Sequence, residues 1–260
     1  MPPVNSLSRR MIPCCLILET PTPYSIWGLG FCLFCITEGR HGIFEVVAVE
    51  QVIQLLEREY GRLTWRADGD PVDVLIETML SQNTSDVNSG RAFASLKARF
   101  ESWEAVASAG VEDIARAIKQ GGLHRIKAAR IKQVLGQIER EQGRISLDSL
   151  KPMNMAEAEN YLLHMPGVGR KTARCVLLFS LGKPSLPVDT HVFRVSKRLG
   201  LIGPNTSIEK APDLLQRQVP PSKVYQFHIH MIEHGRRICH ARQPHCCDCI
   251  LKRICPSCRC

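Results

Sequence analysis

The chain has 260 residues, 44% of them hydrophobic, enough for one substantial core or for two modest lobes sharing a cleft, and no low-complexity tract suggests disorder. Its formal net charge of +9 and pI near 9.1 favour a polyanionic partner, because lysine and arginine gain affinity by releasing counterions from phosphates. Twelve cysteines are too sparse for a disulfide scaffold and suit free thiols or a metal site in a reducing cytoplasm.

Residues 1–47 read as an extension unlike the rest. They hold Arg9-Arg10, an apolar patch from Cys14 to Leu18, a break at Pro21 and Pro23, and a second apolar run from Ile26 to Thr37. Neither run reaches the roughly 18–20 residues a membrane helix needs, and Pro13 and Glu19 interrupt the first as a signal-peptide core. Neither a membrane span nor secretion is expected. Cys32 and Cys35 form an isolated C-x2-C without partner ligands and read as an incidental pair. Organised sequence begins at Val49, so a start near Val46, Val47 or Val49 is expected.

From Val49 onward apolar residues recur at helical spacing, first at Val52, Ile53, Leu55 and Leu56, then over Val72 to Leu80 with Pro71 suited to a first turn. Further helices are predicted over 88–100, 103–108, 111–119, 125–142, 155–163, 170–181, 191–199, 207–218 and 223–234. Gly121-Gly122, Gly143, Gly182 and Gly200 punctuate them at C-cap positions. Strand-like alternation is nearly absent, and the reading is an all-α protein with short connections.

Met165-Pro166-Gly167-Val168-Gly169-Arg170-Lys171 lies between two of these helices and reads as a hairpin. Its glycines allow the turn's N–H groups and the next helix's N-terminus to point at one phosphate, assisted by Arg170. An ordinary glycine-containing turn between helices is the alternative. Lys171 falls in the first turn of that helix, where the dipole disfavours a cation. It reads either as an amine nucleophile that forms a Schiff base with a sugar carbon or as a phosphate-binding or solvated lysine. Asp189, in Pro187-Val188-Asp189-Thr190-His191, most simply caps the next helix, and equally suits a carboxylate that offsets positive charge on a sugar ring.

Near the C-terminus Cys239, Cys246, Cys249 and Cys255 follow the pattern C-x6-C-x2-C-x5-C. Four closely spaced soft ligands can wrap one [4Fe-4S] cluster. Zinc held by Cys246, Cys249, Cys255 and Cys258 is the alternative. His228, His230, His234, His240 and His245 cluster nearby but read as surface, phosphate-facing or packing residues, and Cys175, Trp65 and Trp103 as core.

Three motifs in one order, L-x-M-P-G-V-G-R-K-T-A, V-D-T-H-V-F-R-V and the cysteine loop, together resemble the helix-hairpin-helix DNA glycosylases of the endonuclease III family over Val49 to Cys255. The resemblance implies two helical lobes: a six-helix barrel domain over 64–183, and a cluster-bearing domain built from 48–63 and 184–260, with the hairpin at the cleft. It assigns Lys171 and Asp189 as catalytic, and places Gly167, Val168, Gly169 and Arg170 on DNA. Leu80 to Asp86 resembles the loop that fills the gap left by a flipped nucleotide, with Asn83 at the filling position and Gln82 beside it. Bacterial members often carry Gln at that position, so Asn83 is a departure. Gly122-Leu123-His124 resembles the opposing wedge, with Leu123 entering the stack, and His234-Gly235-Arg236 resembles the approach to the cluster.

The implied function is a bifunctional glycosylase and AP lyase that removes oxidised pyrimidines from double-stranded DNA and cleaves 3′ to the abasic site. The implied protein is a monomer in the cytoplasm, on the nucleoid if bacterial, with a [4Fe-4S] cluster that folds a basic loop of Arg236, Arg237, Arg242, Lys252 and Arg253 onto phosphates. A mismatch thymine or uracil glycosylase is the alternative within the superfamily, although that branch often has tyrosine where Lys171 stands. A non-catalytic iron-sulfur DNA-binding protein is the alternative outside it, and such a protein has no need for Lys171 and Asp189 together.

Overall fold

The computed structural model describes residues 47–260; the Cys32/Cys35 pair, the two N-terminal apolar runs and Val46 lie outside the described residues. All regular structure among the described residues is helical. In chain order the helices are α1 (Val49–Tyr60), α2 (Pro71–Ser81), α3 (Asp86–Arg99), α4 (Trp103–Ser108), α5 (Val111–Ala117), α6 (His124–Gln142), α7 (Met155–Leu163), α8 (Arg170–Phe179), α9 (Thr190–Arg198), α10 (Ala211–Gln218) and α11 (Val224–Arg237).

Local chemistry sets their starts. Asp70 caps α2, its side chain accepting from the Val72 amide at 2.8 Å with Pro71 at the first helical position. Ser85 caps α3 through the Asn88 amide, so α3 begins at Asp86, ahead of the expected residue 88. Asn154 and Glu157 form a reciprocal capping box at α7. Other ends depart from the apolar periodicity. The α10 helix starts at Ala211 rather than 207, with Pro212 at its second position and a turn before it, and α8 stops at Phe179 while α11 continues to Arg237.

Two hydrophobic clusters form the core. The first draws on α2 through α8, with Leu75, Ile76, Leu80, Leu96, Ile131, Leu135, Ile138 and Val176 almost wholly excluded from solvent. The second joins Val52 and Leu56 of α1 to Val192, Leu215, Phe227, Met231 and Leu251, with Cys239, Cys249 and Cys255 packed at its edge. Burial of each such aliphatic side chain is worth roughly 1.5–3 kcal/mol. The α8 helix is the seam: Ala173, Val176 and Leu177 face the first cluster and Leu178 the second. Trp103 packs against the first cluster, as expected, and donates to Asp73 Oδ1 at 2.8 Å. Trp65 differs from expectation: it is 38% exposed, lying over Gly182 while its indole N–H reaches the Leu178 carbonyl at 2.6 Å.

Candidate active-site cleft and cysteine loop

The hairpin between α7 and α8 turns on Gly167, whose φ of +77° is a left-handed conformation; a Cβ there would approach Arg130 Cδ to 2.7 Å. Gly169 precedes α8 with no side-chain cap, so the first amides of that helix have no such partner. The adjoining α8 residues Thr172 to Leu178 are all buried, which rigidly seats exposed Lys171 at the helix start.

Lys171 and Asp189 line one cleft of about 620 Å³, together with Asn83, Thr84, Val188, His191 and Arg236. Asp189 caps α9, its Oδ1 accepting from the amides of His191 at 2.9 Å and Val192 at 2.8 Å. Behind them sit two buried groups that sense both charges. Burial pushes the Cys175 thiol up to about 11, with Lys171 opposing and Asp189 reinforcing the shift. Burial holds the His228 imidazole down to about 4, and its Nδ1 lies 2.9 Å from the Pro187 carbonyl. A carbonyl only accepts, so Nδ1 carries the proton.

Other anticipated DNA-facing residues divide. Asn83 and Leu123 are exposed and both adopt left-handed backbone, with φ of 53° and 45°. Strain of this kind concentrates at working loops. Gln82 instead turns inward, donating to the Gly167 carbonyl at 3.1 Å and to Thr172 Oγ1 at 3.3 Å, and so ties its loop to the hairpin. Val168 is buried. Arg170 was expected at a phosphate, but its guanidinium forks onto Asp213 of α10 at 3.0 and 2.5 Å. The same Asp213 receives Arg174 Nη2 at 2.9 Å, and Arg174 Nε reaches Glu159 Oε1 at 2.9 Å. This network was not anticipated, because the two carboxylates that define it lie on α7 and α10.

The cysteine loop is held from α9. Arg194 Nε donates to the Cys239 carbonyl at 3.0 Å, and Arg198 reaches the His240 carbonyl at 2.6 Å and Cys239 Sγ at 3.2 Å. Gly235 lets α9 and α11 touch, since a Cβ there would lie 2.9 Å from His191 Cβ. Cys239, Cys246, Cys249, Cys255 and Cys258 all line one small pocket closed by Val195, Leu199, Ile238 and Leu251. His234 Nε2 lies 3.4 Å from Cys249 Sγ, while its Nδ1 meets the Tyr60 hydroxyl at 3.0 Å. Burial raises the thiols of Cys249, to about 11, and Cys255. Cys247 pairs with Cys260 in a disulfide, whereas the composition had suggested free thiols or a metal site. His228, His230 and His234 are buried packing residues, and His240 and His245 stack edge to face. Arg236 pairs with Asp86 and Arg237 with Glu233, so two of the basic residues expected at phosphates have partners within the chain.

Residues 76–221 match the HhH-GPD superfamily of base excision DNA repair proteins. The chain belongs to that superfamily. An HhH-GPD relative named endonuclease III from Thermotoga maritima is 40% identical over 187 residues, covering 72% of this chain and 83% of the relative. Endonuclease III of Escherichia coli K12 is 35% identical over 186 residues, covering 71% and 83%. A relative from Arabidopsis thaliana is 40% identical over 165 residues, and the match spans only 56% of that longer protein. Among solved structures, a non-covalent endonuclease III–DNA complex is 27% identical with a TM-score of 0.70, over 80% of this chain and 94% of that one. A trapped endonuclease III–DNA covalent intermediate gives 26% and 0.69 over the same shares. The HhH-GPD fold therefore extends beyond the hairpin to both hydrophobic clusters.

Proposed function

We propose that this HhH-GPD protein is a bifunctional DNA glycosylase and AP lyase of base excision repair that acts on oxidised pyrimidines in double-stranded DNA. The observation that carries the reading is the placement of Lys171 and Asp189 on one cleft. The two catalytic roles and the DNA-facing roles of Asn83, Leu123 and the Gly167–Gly169 turn are part of the proposal. So is the division into a barrel domain over 64–183 and a second domain from 48–63 and 184–260, which the two hydrophobic clusters support. No helix among the described residues is long and apolar enough to cross a membrane. We place the protein in the cytoplasm as a monomer on DNA.

The chemistry follows from the two side chains. An extruded lesion enters the cleft, at least cost where it already stacks or pairs poorly. The neutral Lys171 amine attacks C1′ as the glycosidic bond breaks, and the base departs with the bonding electron pair. Asp189 offsets the positive charge that develops on the sugar. One proton passes from the nitrogen to the ring oxygen as the C1′–O4′ bond opens, which leaves a protonated Schiff base; removal of a C2′ proton then expels the 3′ phosphate oxygen, the electrons moving toward the iminium. Hydrolysis returns the free lysine. Arg170 and Gln82 stay among the proposed DNA-facing residues, and Arg170, forked onto Asp213, also seats α8.

A [4Fe-4S] cluster on Cys239, Cys246, Cys249 and Cys255 is proposed as the loop's cofactor. All four thiols share one pocket, and Arg198 and His234 stand ready to hydrogen-bond two of the sulfurs. Among the described residues no three metal-binding side chains converge on a single-ion position. When bound, the cluster would cross-link the loop and fix its cationic residues. Iron and acid-labile sulfide analysis tests the cofactor.

The decisive experiment for the activity is borohydride trapping on duplex DNA with one oxidised pyrimidine or abasic site. A covalent protein–DNA band that disappears in Lys171→Ala is the expected result. Base release without a band would instead favour the mismatch-type monofunctional glycosylase, and tight binding without release a non-catalytic protein.

A further inference from the structure

Lys127, on the first turn of α6, is 4% exposed although its side chain carries an ammonium group. Burial lowers its pKa, and no carboxylate contributes to the shift. A buried cation without a counter-ion is costly to maintain, so its contacts call for an explanation. They are two backbone carbonyls: Leu80 at 2.6 Å and Gly121 at 2.8 Å. Leu80 belongs to the last turn of α2, three residues before Asn83, and Gly121 closes a short 3-10 turn two residues before Leu123. Helix-end carbonyls lack partners of their own, and one ammonium supplies a donor to each.

The two segments clamped by Lys127 lead to Asn83 and Leu123, which share exposure and a left-handed backbone. The filling loop is secured from its other side by Gln82, on Gly167 and Thr172. At the wedge loop a Cβ on Gly121 would come within 3.1 Å of Ala92 Cβ, so the Gly121 backbone packs closely against α3. Both tips thus stand on one buried nitrogen.

We propose that Lys127 is a positioning residue that fixes the spacing between Asn83 and Leu123, so that gap filling and wedging occur as one event when a nucleotide is extruded. This rests on the reading of those two tips as DNA-penetrating. Lys127 itself touches neither DNA nor the reacting sugar.

The test uses full-length, iron-loaded protein and Lys127→Met, which keeps an unbranched side chain of similar length without donors. Three readouts separate the possibilities: single-turnover excision of thymine glycol from duplex, fluorescence of 2-aminopurine opposite the lesion, and β-elimination at an abasic site in a single strand, where no stack has to open. Lys127→Met should slow duplex excision about 10- to 100-fold, the scale expected for a misplacement of about 1 Å, and weaken the fluorescence change. Single-strand cleavage should stay within about 2-fold, because the Lys171 chemistry is intact. Should Lys127→Met not accumulate as folded protein, Lys127→Gln, too short to reach both carbonyls, carries the same test. Unchanged duplex excision and fluorescence would overturn the proposal, and so would equal loss on both substrates, which would leave Lys127 as a residue of general stability. Wild-type protein inert on both substrates would overturn the reading of the catalytic site and this inference with it. Wild-type activity with a fluorescence change untouched by Asn83→Ala and Leu123→Ala would overturn the role of the tips alone, and with it the clamp.

Discussion

At Asp189 one carboxylate joins an observed helix cap to the proposed catalytic role, and substitution can separate the two. Its Oδ1 holds the first amides of α9, and its charge faces the cleft that contains Lys171. Asparagine caps nearly as well as aspartate but carries no charge, whereas alanine loses both functions. Asp189→Asn should therefore retain stability to within about 1 kcal/mol, and Asp189→Ala should lose about 1 kcal/mol or slightly more, read from urea midpoints. Excision should fall about 100- to 1000-fold in both, since the electrostatic role needs the carboxylate. Wild-type excision by Asp189→Asn would show that only the cap matters. The positions of Asp189 and Lys171 beside helix starts were legible from local signals, while their proposed catalytic roles came only with the family resemblance. Lys127 was not, although it continues the apolar stripe of α6 through Ile131, Val134 and Ile138. A lysine at the head of such a stripe ordinarily snorkels to solvent. Only the two carbonyls brought to it by α2 and the 3-10 turn explain its burial.

Among the elements, the hairpin between α7 and α8 tests whether local backbone geometry controls DNA contact. Gly167 combines φ of +77° with the close approach of Arg130 Cδ. Alanine there is strained by its conformation alone, and the Arg130 side chain must also move. Gly167→Ala should cost about 1–2 kcal/mol in stability and weaken duplex binding, measured by fluorescence polarisation at fixed salt. Unchanged affinity would show that the turn's amides do not face phosphate. Helix positions were largely readable from apolar periodicity, with Pro71 and Asp189 marking two starts locally; the Ser85 cap was passed over, so α3 was expected two residues late. The start of α10 was expected at 207, yet the chain turns once more before the helix begins at Ala211, with Pro212 at its second position. The inward turn of Gln82 was missed for a different reason. Its partners, Gly167 and Thr172, lie across the cleft in sequence and only tertiary packing brings them within reach.

For the whole molecule, the question is what joins the two hydrophobic clusters across α8. Arg174 is 4% exposed in the middle of that helix, bonded to Glu159 of α7, to Asp213 of α10 and to the Leu186 carbonyl at 3.2 Å. Glu159 belongs to the first side of the seam and Asp213 to the second, so one guanidinium spans both. Nothing in the sequence singled out Arg174, because its carboxylate partners stand 15 and 39 residues away. Breaking a buried pair leaves the remaining charge uncompensated, at a cost of about 3–5 kcal/mol, whereas removing both charges together is much milder. Glu159, with its side chain 12% exposed, would keep only the longer contact to Arg170 Nε at 3.6 Å and is the group left under-compensated; Asp213 is 48% exposed and keeps Arg170 at hydrogen-bonding distance, so it adds little. Arg174→Met should thus lower the unfolding free energy by about 3 kcal/mol, and the double variant with Glu159→Gln should regain more than half of that in a double-mutant cycle. If the network is also what seats α8, the single variant should slow single-strand β-elimination as well as duplex excision. That outcome is opposite to the split expected for Lys127→Met, because the seam carries Lys171 itself and the clamp carries only the tips.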